Sequence, residues 1–222
     1  MPAKLNPRSL HFLVPPPRYD GPNWAAVAEL HSLFPGVMYL ATEATAAMGA
    51  RGSPWWMPNT TAGSAWWATG EFYGTYLLND LLSWTSGFID WNILLDQNGA
   101  PDHGDPTGEL CEGIITCGSD AMLIADVTAS PPTVHKQAFF WYMSHVSRFV
   151  PPGSVRIGCN LAGAAGGAAG NVTAAAFATP ANTTVFVVMS TFDDAREVTL
   201  SDARFGVVQA TVAPHSIETW EW

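Results

Sequence analysis

Val37-Met38-Tyr39-Leu40-Ala41-Thr42-Glu43-Ala44-Thr45 is an apolar run of strand length that ends on a single carboxylate. Val37 to Ala41 read as continuous hydrophobics rather than as an alternating pattern. That is the signature of a strand buried on both faces, as in a parallel sheet covered by helices on either side. Glu43 then falls at the C-terminal end of the strand. In a (β/α) barrel this is the edge where the βα loops converge and catalytic side chains sit. A lone carboxylate beside a strand is also an ordinary cap or salt-bridge partner, so the neighbouring sequence has to separate the two readings.

On the N-terminal side, Asn23 to Phe34 places Trp24, Val27, Ala28, Leu30 and Phe34 near one helical stripe, and Pro35-Gly36 ends it. Met1 to Asp20, with the run Pro15-Pro16-Pro17, is expected to hold neither helix nor ladder strand. On the C-terminal side, residues 46–65 form a long Gly, Ser, Pro and Asn-rich loop containing Trp55 and Trp56, the kind of βα loop that carries function. Trp66 to Leu82 is the next helix, with Phe72, Tyr76, Leu77, Leu81 and Leu82 on one broad face. Phe88 to Leu95 is a second strand candidate that again sets polar groups, Asp90 and Asn92, and an indole, Trp91, beside apolar residues. Ile114 to Val127 is broken by a hairpin-like turn at Gly118-Ser119-Asp120. Val134 to Val150 reads as an amphipathic helix with Phe139, Phe140, Met143 and Val146 inward, stopped by Pro151-Pro152-Gly153.

Beyond that stop the helical period disappears. Val155–Leu161, Val172–Ala178, Thr184–Phe192, Arg196–Leu200, Val207–Val212 and Ser216–Trp222 are short β-branched runs separated by turn-formers, the pattern of an antiparallel sandwich. The Ala/Gly-rich stretch 162–170 reads as a flexible hairpin loop. The expected organisation is therefore α/β followed by all-β, residues 1–150 and then 151–222.

The totals narrow the function. A net charge of -10 with only nine Lys and Arg argues against a nucleic-acid or anionic-membrane surface, since both need clustered cations. Ten Trp, eleven Phe and five Tyr suit sugar-stacking clefts and packed cores alike. Cys111, Cys117 and Cys159 show no metal-binding spacing, and no metal or cofactor is expected. Cys111 and Cys117 are near enough in sequence to bridge. Asp96, Asn98, Asp102 and Asp105 invite a calcium reading, but the EF-hand pattern needs an oxygen ligand where Ala100 stands and Gly where Pro101 stands. Asn59, Asn171 and Asn182 head N-x-[ST] sequons. Met1 to Arg8 lacks the apolar core of a secretory signal, and no stretch approaches the roughly 18 apolar residues of a membrane span.

Several segments resemble one family in order and spacing. They are Leu40-Ala41-Thr42-Glu43-Ala44, Gly87-Phe88-Ile89-Asp90-Trp91-Asn92, Gly99-Ala100-Pro101, Ser147-Arg148-Phe149 and Pro152-Gly153-Ser154-Val155-Arg156-Ile157-Gly158. From about Phe12 to Trp222 the chain resembles the C-terminal half of the glucosylceramidases, family-30 glycoside hydrolases. The resemblance implies the C-terminal part of a (β/α)8 TIM barrel, truncated here, followed by an antiparallel β-sandwich. It implies a retaining β-glucosidase with a glucosylceramide-type substrate or related β-glucoside and peripheral membrane contact through the lipid. A lysosomal or secreted location follows in the same way.

By the same resemblance Glu43 matches the catalytic nucleophile, Asp90 and Trp91 match the strand-end pair that binds the glucosyl unit, and Asp102 stands at a substrate position where the family has Asn. His103 replaces an expected Trp. The family's acid/base glutamate lies in an Asn-Glu-Pro segment, and these 222 residues contain none. Glu29 and Glu71 read as helix-surface residues, and Glu109 and Glu112 are poor candidates by position. The chain is thus expected to need the missing N-terminal half of the barrel, to be poorly soluble and to be inactive alone on an aryl β-glucoside. The alternative is a non-catalytic carbohydrate-binding or regulatory remnant built on the sandwich.

Overall fold

The computed structural model describes residues 9–13, 23–44, 65–97, 121–159 and 171–222. Cys111 and Cys117, the hairpin turn at Gly118, Asp102, His103, Glu109 and Glu112 lie outside the described residues. Two compact units divide the chain: residues 1–58 with 79–137, and residues 59–78 with 138–222. Units set by contact thus follow chain order only in part, because helices from the first 150 residues group with the C-terminal strands.

In the first unit three parallel strands form a sheet in the order β1-β2-β3, with β1 at Ser9–Leu13, β2 at Met38–Ala44 and β3 at Thr85–Asp90. β1 corrects the expectation that Met1 to Asp20 is all loop. The proline run bars a ladder strand only around residues 14–17, and Ser9-Leu10-His11-Phe12-Leu13 ahead of it keeps every backbone N–H available for pairing. α1, Trp24–Leu33, starts where Asn23 accepts a hydrogen bond from the Ala26 amide at 3.0 Å, a side-chain N-cap. The Tyr39 hydroxyl at the head of β2 donates to the carbonyl of Leu30 at 2.8 Å, so strand and helix end are tied.

The expected single strand from Phe88 to Leu95 is two. β3 ends at Asp90, and β4, Leu94–Asp96, belongs to another sheet with β5, Leu123–Asp126, parallel to it, and β6, Thr133–Lys136, antiparallel to β5. The chain turns at Trp91-Asn92-Ile93, where an apolar-looking run hides a break. The helix expected from Val134 is likewise later: Val134 pairs with Ala125 in β6, and α3 runs Ala138–Ser147. Thr133-Val134-His135 is β-branched-rich and suits a strand, so the apolar stripe there had been extended too far.

The second unit is organised by a four-stranded antiparallel sheet in the order β12-β9-β8-β7, with β7 at Val155–Ile157, β8 at Val172–Ala178, β9 at Thr184–Ser190 and β12 at Ser216–Glu221. β10, Arg196–Asp202, and β11, Gly206–Val212, pair antiparallel as a separate ribbon. All six expected runs are strands. β8 and β9 are buried along both faces. Their even-numbered residues, Val172, Ala174, Ala176, Phe186 and Val188, pack with Val212, Val198 and Leu200 of the ribbon. Their odd-numbered face meets helices: beside α2, Ala65–Leu82, lies Met189.

Gly70 and Gly74, one helical turn apart on α2, let α3 approach. A Cβ at Gly70 would stand 2.5 Å from the Tyr142 ring, and one at Gly74 would stand 2.6 Å from both the ring and the Met189 sulfur. Tyr142 is fully buried, and burial raises its hydroxyl well above the ordinary value. Gly74→Ala should therefore destabilise the fold. Overpacking of about 1–3 kcal/mol outweighs the ~1 kcal/mol that alanine gains in a helix, and a fall of several degrees in the unfolding midpoint checks it.

Asp80, near the C-terminal end of α2, belongs to the first unit and is only 1% exposed. Its Oδ1 accepts from the Trp24 indole at 2.9 Å, while Oδ2 has no hydrogen-bond partner. Burial pushes the carboxyl from 3.8 up to about 6, the indole pulling part of the way back. A carboxyl whose folded pKa is raised destabilises the fold once it ionises: the cost is absent below pH 3.8, accumulates towards pH 6 and is complete above it, at about 3 kcal/mol for a shift of this size. Asp80→Asn should raise the unfolding midpoint at pH 7.5 and leave it nearly unchanged at pH 4, measured by thermal denaturation at both.

Candidate active site

Three parallel strands end together, so the C-terminal edge of β1-β2-β3 is where a site can be assembled. Glu43 sits opposite Leu13 of β1 in the register, and Ala44, the next residue, sits opposite Asp90 of β3. The Trp91 amide donates to the Ala44 carbonyl at 2.8 Å, carrying the ladder one residue past the end of β3. The backbone therefore brings Glu43, Asp90 and Trp91 to one strand edge. Asp102, the fourth expected site residue, lies outside the described residues.

The pairing is irregular on both sides of β2, and between Tyr39 and Leu40 the extra residue lies on β3, where Tyr39 pairs with Thr85 and Leu40 with Gly87. Phe12 pairs with Ala41 but Leu13 pairs with Glu43, so β2 carries one residue more than β1 between these pairs. On the other side Ala41 pairs with Phe88 and Ala44 with Asp90, and β2 again has the extra residue. The shift against β1 brackets Thr42, and the shift against β3 brackets Thr42 and Glu43. A residue inserted into a ladder changes which way the following side chains are aimed, and such bulges gather beside active sites. The extra residue in β2 lies next to the one carboxylate that ends the strand.

Trp91 is 59% exposed although it follows a strand of the sheet, which leaves an indole face free for an apolar ligand surface. Ile89, Ile93 and Leu94 are exposed around the same turn. The other strand-end carboxylate pair behaves differently. Asp126, at the end of β5, accepts from the Thr128 hydroxyl at 2.6 Å, the Thr128 amide at 2.9 Å and the Ala129 amide at 3.1 Å. The Thr128 hydroxyl foremost holds its carboxyl below the usual carboxylate range. Asp126 closes its own turn, a structural use. Asp96, at the end of β4, pairs in register with Ala125. Among the described residues no group of three His, Cys, Asp or Glu side chains could hold a metal ion.

The strand edge, the helices behind it and the sheet that follows form the layout of a known family. The glycosyl hydrolase family 30 TIM-barrel domain model matches residues 17–150, and the glycosyl hydrolase family 30 β-sandwich domain model matches residues 153–220.

The chain belongs to glycosyl hydrolase family 30.

Its similarity to characterised members is distant. Lysosomal acid glucosylceramidase of Mus musculus is 27% identical over 201 residues, which are 90% of this chain and 34% of that protein. Putative glucosylceramidase 4 of Caenorhabditis elegans is 32% identical over 135 residues, 61% of this chain and 22% of the relative. The chain spans about a third or less of the length of these relatives. Among solved structures, SrfJ from Salmonella typhimurium superposes with a TM-score of 0.70 at 20% identity over 96% of this chain and 40% of that one. The endo-β1,6-glucanase BT3312 superposes with a TM-score of 0.68 at 19% identity over 96% and 40%. At these identities the structural likeness fixes the family 30 fold, a TIM-barrel part followed by a β-sandwich. The described sheets are open rather than closed into a barrel.

One cluster escaped the sequence. Glu71, expected on a helix surface, has its side chain only 14% exposed and stands 2.7 Å from His215, 144 residues later. Helical periodicity placed Glu71 between apolar positions, but nothing local announces a partner in a turn so distant in the chain. Glu29 is exposed on α1 as expected.

Proposed function

We propose that this chain carries the nucleophile half of a retaining β-glucosidase of glucosylceramidase type. Glu43 attacks the anomeric carbon, and the carboxylate of Asp90 and the indole of Trp91 hold the glucosyl unit by its hydroxyls and its apolar face. The observation that supports the reading is the strand edge that Glu43 shares with Asp90 and Trp91, with a register shift against β3 between Ala41 and Ala44. Asp102 is proposed to contact substrate as well, its carboxylate accepting where the family's Asn could also donate.

Family 30 chemistry of this type uses two carboxyl groups about 5 Å apart, one to attack and one to protonate the leaving alcohol. The 222 residues offer no Asn-Glu-Pro segment for the second. Loss of a positioned acid costs roughly two to four orders of magnitude for an ordinary alcohol leaving group. The proposed substrate is a β-glucoside of the glucosylceramide kind, because the mouse relative and the Caenorhabditis elegans relative carry glucosylceramidase names. An endo-1,6-β-D-glucanase of Aspergillus fumigatus, at 22% identity over 199 residues, marks a competing glycan. A lysosomal or secreted location is proposed on the mouse relative's name. No helix among the described residues is long and apolar enough to cross a membrane. The sequon at Asn182 lies on an exposed turn, accessible to a glycan.

A trap whose leaving group needs no proton separates attack from acid catalysis. Incubation with 2,4-dinitrophenyl 2-deoxy-2-fluoro-β-glucoside should add one fluoroglucosyl group, located by peptide mass spectrometry on Glu43, and Glu43→Gln should abolish it. A label on another carboxylate, or none on the folded chain, contradicts the assignment.

Trp91→Ala should leave the unfolding midpoint within about 2 °C of the parent, since the indole is largely exposed. The same change should slow trapping at low reagent concentration by about tenfold, as expected for the loss of one aromatic contact. Equal trapping rates would remove Trp91 from the sugar site.

A further inference from the structure

His215 stands in the turn between β11 and β12 with both ring nitrogens against carboxylates. Nδ1 lies 2.7 Å from Oε1 of Glu71 on α2, and Nε2 lies 2.9 Å from Oδ1 of Asp193 in the loop after β9. An ionised carboxylate only accepts hydrogen bonds. A neutral imidazole carries one N–H and one bare lone pair, so it can satisfy one of these partners while presenting its lone pair to the other. The imidazolium, with two N–H groups, satisfies both.

The remaining surroundings hold the ring in place. The His215 backbone is in the left-handed region, with φ at 47°, an uncommon conformation for a residue with a side chain. The His215 carbonyl accepts from the Trp67 indole of α2 at 2.5 Å, and the Tyr142 hydroxyl of α3 reaches it at 3.5 Å. Among the described residues, the titratable groups that reach His215 are Glu71, Asp193 and the buried hydroxyl of Tyr142. Asp194, next in the loop, is occupied by Arg196 at 3.0 Å. All these residues belong to the second compact unit.

We propose that His215, Glu71 and Asp193 form a proton-operated lock that fastens the first turns of α2 to the β9–β10 and β11–β12 loops, closed in acidic medium and released as the ring loses its proton. The lock does not depend on the proposed substrate or on Glu43. Hydrogen bonds donated by the ring to Asp193 and then to Glu71 raise the imidazole above its ordinary value, in the direction the geometry requires. A raised histidine contributes stability that is fully present below the ordinary value of 6.5 and is lost as pH rises through the folded one.

Two measurements on the full chain test this. In a nitrogen-15 titration, both His215 ring nitrogens should remain in the protonated pattern above pH 6.5, and titration at or below that value overturns the proposal. In hydrogen exchange corrected for intrinsic rates, the amides of residues 67–71 and 215 should open at least about fivefold more often at pH 8 than at pH 6. That ratio should fall towards one in Glu71→Gln and in His215→Gln, while exchange in β2 and β3 keeps its parent pH dependence. An unchanged ratio in a folded Glu71→Gln variant overturns the lock, and should the variants fail to fold, the parent titration still decides.

Discussion

The parallel pairing of β2 with β3, and the local insertion in β2 just after Ala41, are the constraint on which the site depends. Parallel strands put their C-terminal ends on the same edge, so residues 47 positions apart in the chain, Glu43 and Asp90, become neighbours through backbone hydrogen bonds alone. The Trp91 amide to Ala44 carbonyl bond extends that edge by one residue and fixes where the indole begins. The extra residue in β2 then falls at Thr42-Glu43, between Ala41 and Ala44. Without the shift, Glu43 would sit in an ordinary ladder position, with no backbone irregularity to distinguish it from any strand-end carboxylate. With it, the strand departs from regular geometry at the residue that the family 30 resemblance marks for chemistry.

The second unit follows from a different constraint, a sheet buried on both sides. β8 and β9 cannot alternate apolar and polar residues, because one face meets the β10–β11 ribbon and the other meets helices. Small residues make the helical side possible: Gly70 and Gly74 remove the side chains that would strike Tyr142 and Met189. His145 meets the Thr219 hydroxyl at 2.9 Å, and burial lowers its ring below the ordinary histidine value.

Much of this was legible in the residues. Val37 to Ala41 announced a strand by its unbroken hydrophobicity, though only Tyr39 and Ala41 are buried there and Met38 is exposed, and Asn23 with Pro35-Gly36 bounded α1 within a residue or two. The six C-terminal strands were marked by β-branched runs and intervening turns. Where the sequence misled, a local pattern was outweighed by pairing. Ser9 to Leu13 looked like part of a proline-rich loop because a parallel strand declares itself through a partner almost 30 residues away. Phe88 to Leu95 looked continuous because Trp91 and Ile93 are apolar yet exposed in a turn, which hydropathy does not distinguish from burial. Val134 looked helical because a strand residue and the helix after it happened to share a stripe. The meeting of Glu71 with His215 had no local signal, since it depends on how a helix and a loop from opposite ends of the chain come together. Site chemistry was legible only through the resemblance: the residues show a carboxylate at a strand end, and family 30 motifs supply its role.

The central claim is that a glucosyl unit is held and attacked at the β1-β2-β3 edge. A crystal structure of the chain with a glucose-configured iminosugar tests it most directly. The account predicts the ring at the C-terminal ends of β2 and β3, with the Trp91 indole on its apolar face, the Asp90 carboxylate on its hydroxyls and Glu43 beside the anomeric position. A sugar bound instead on the β-sandwich strands, with that edge empty, would contradict it.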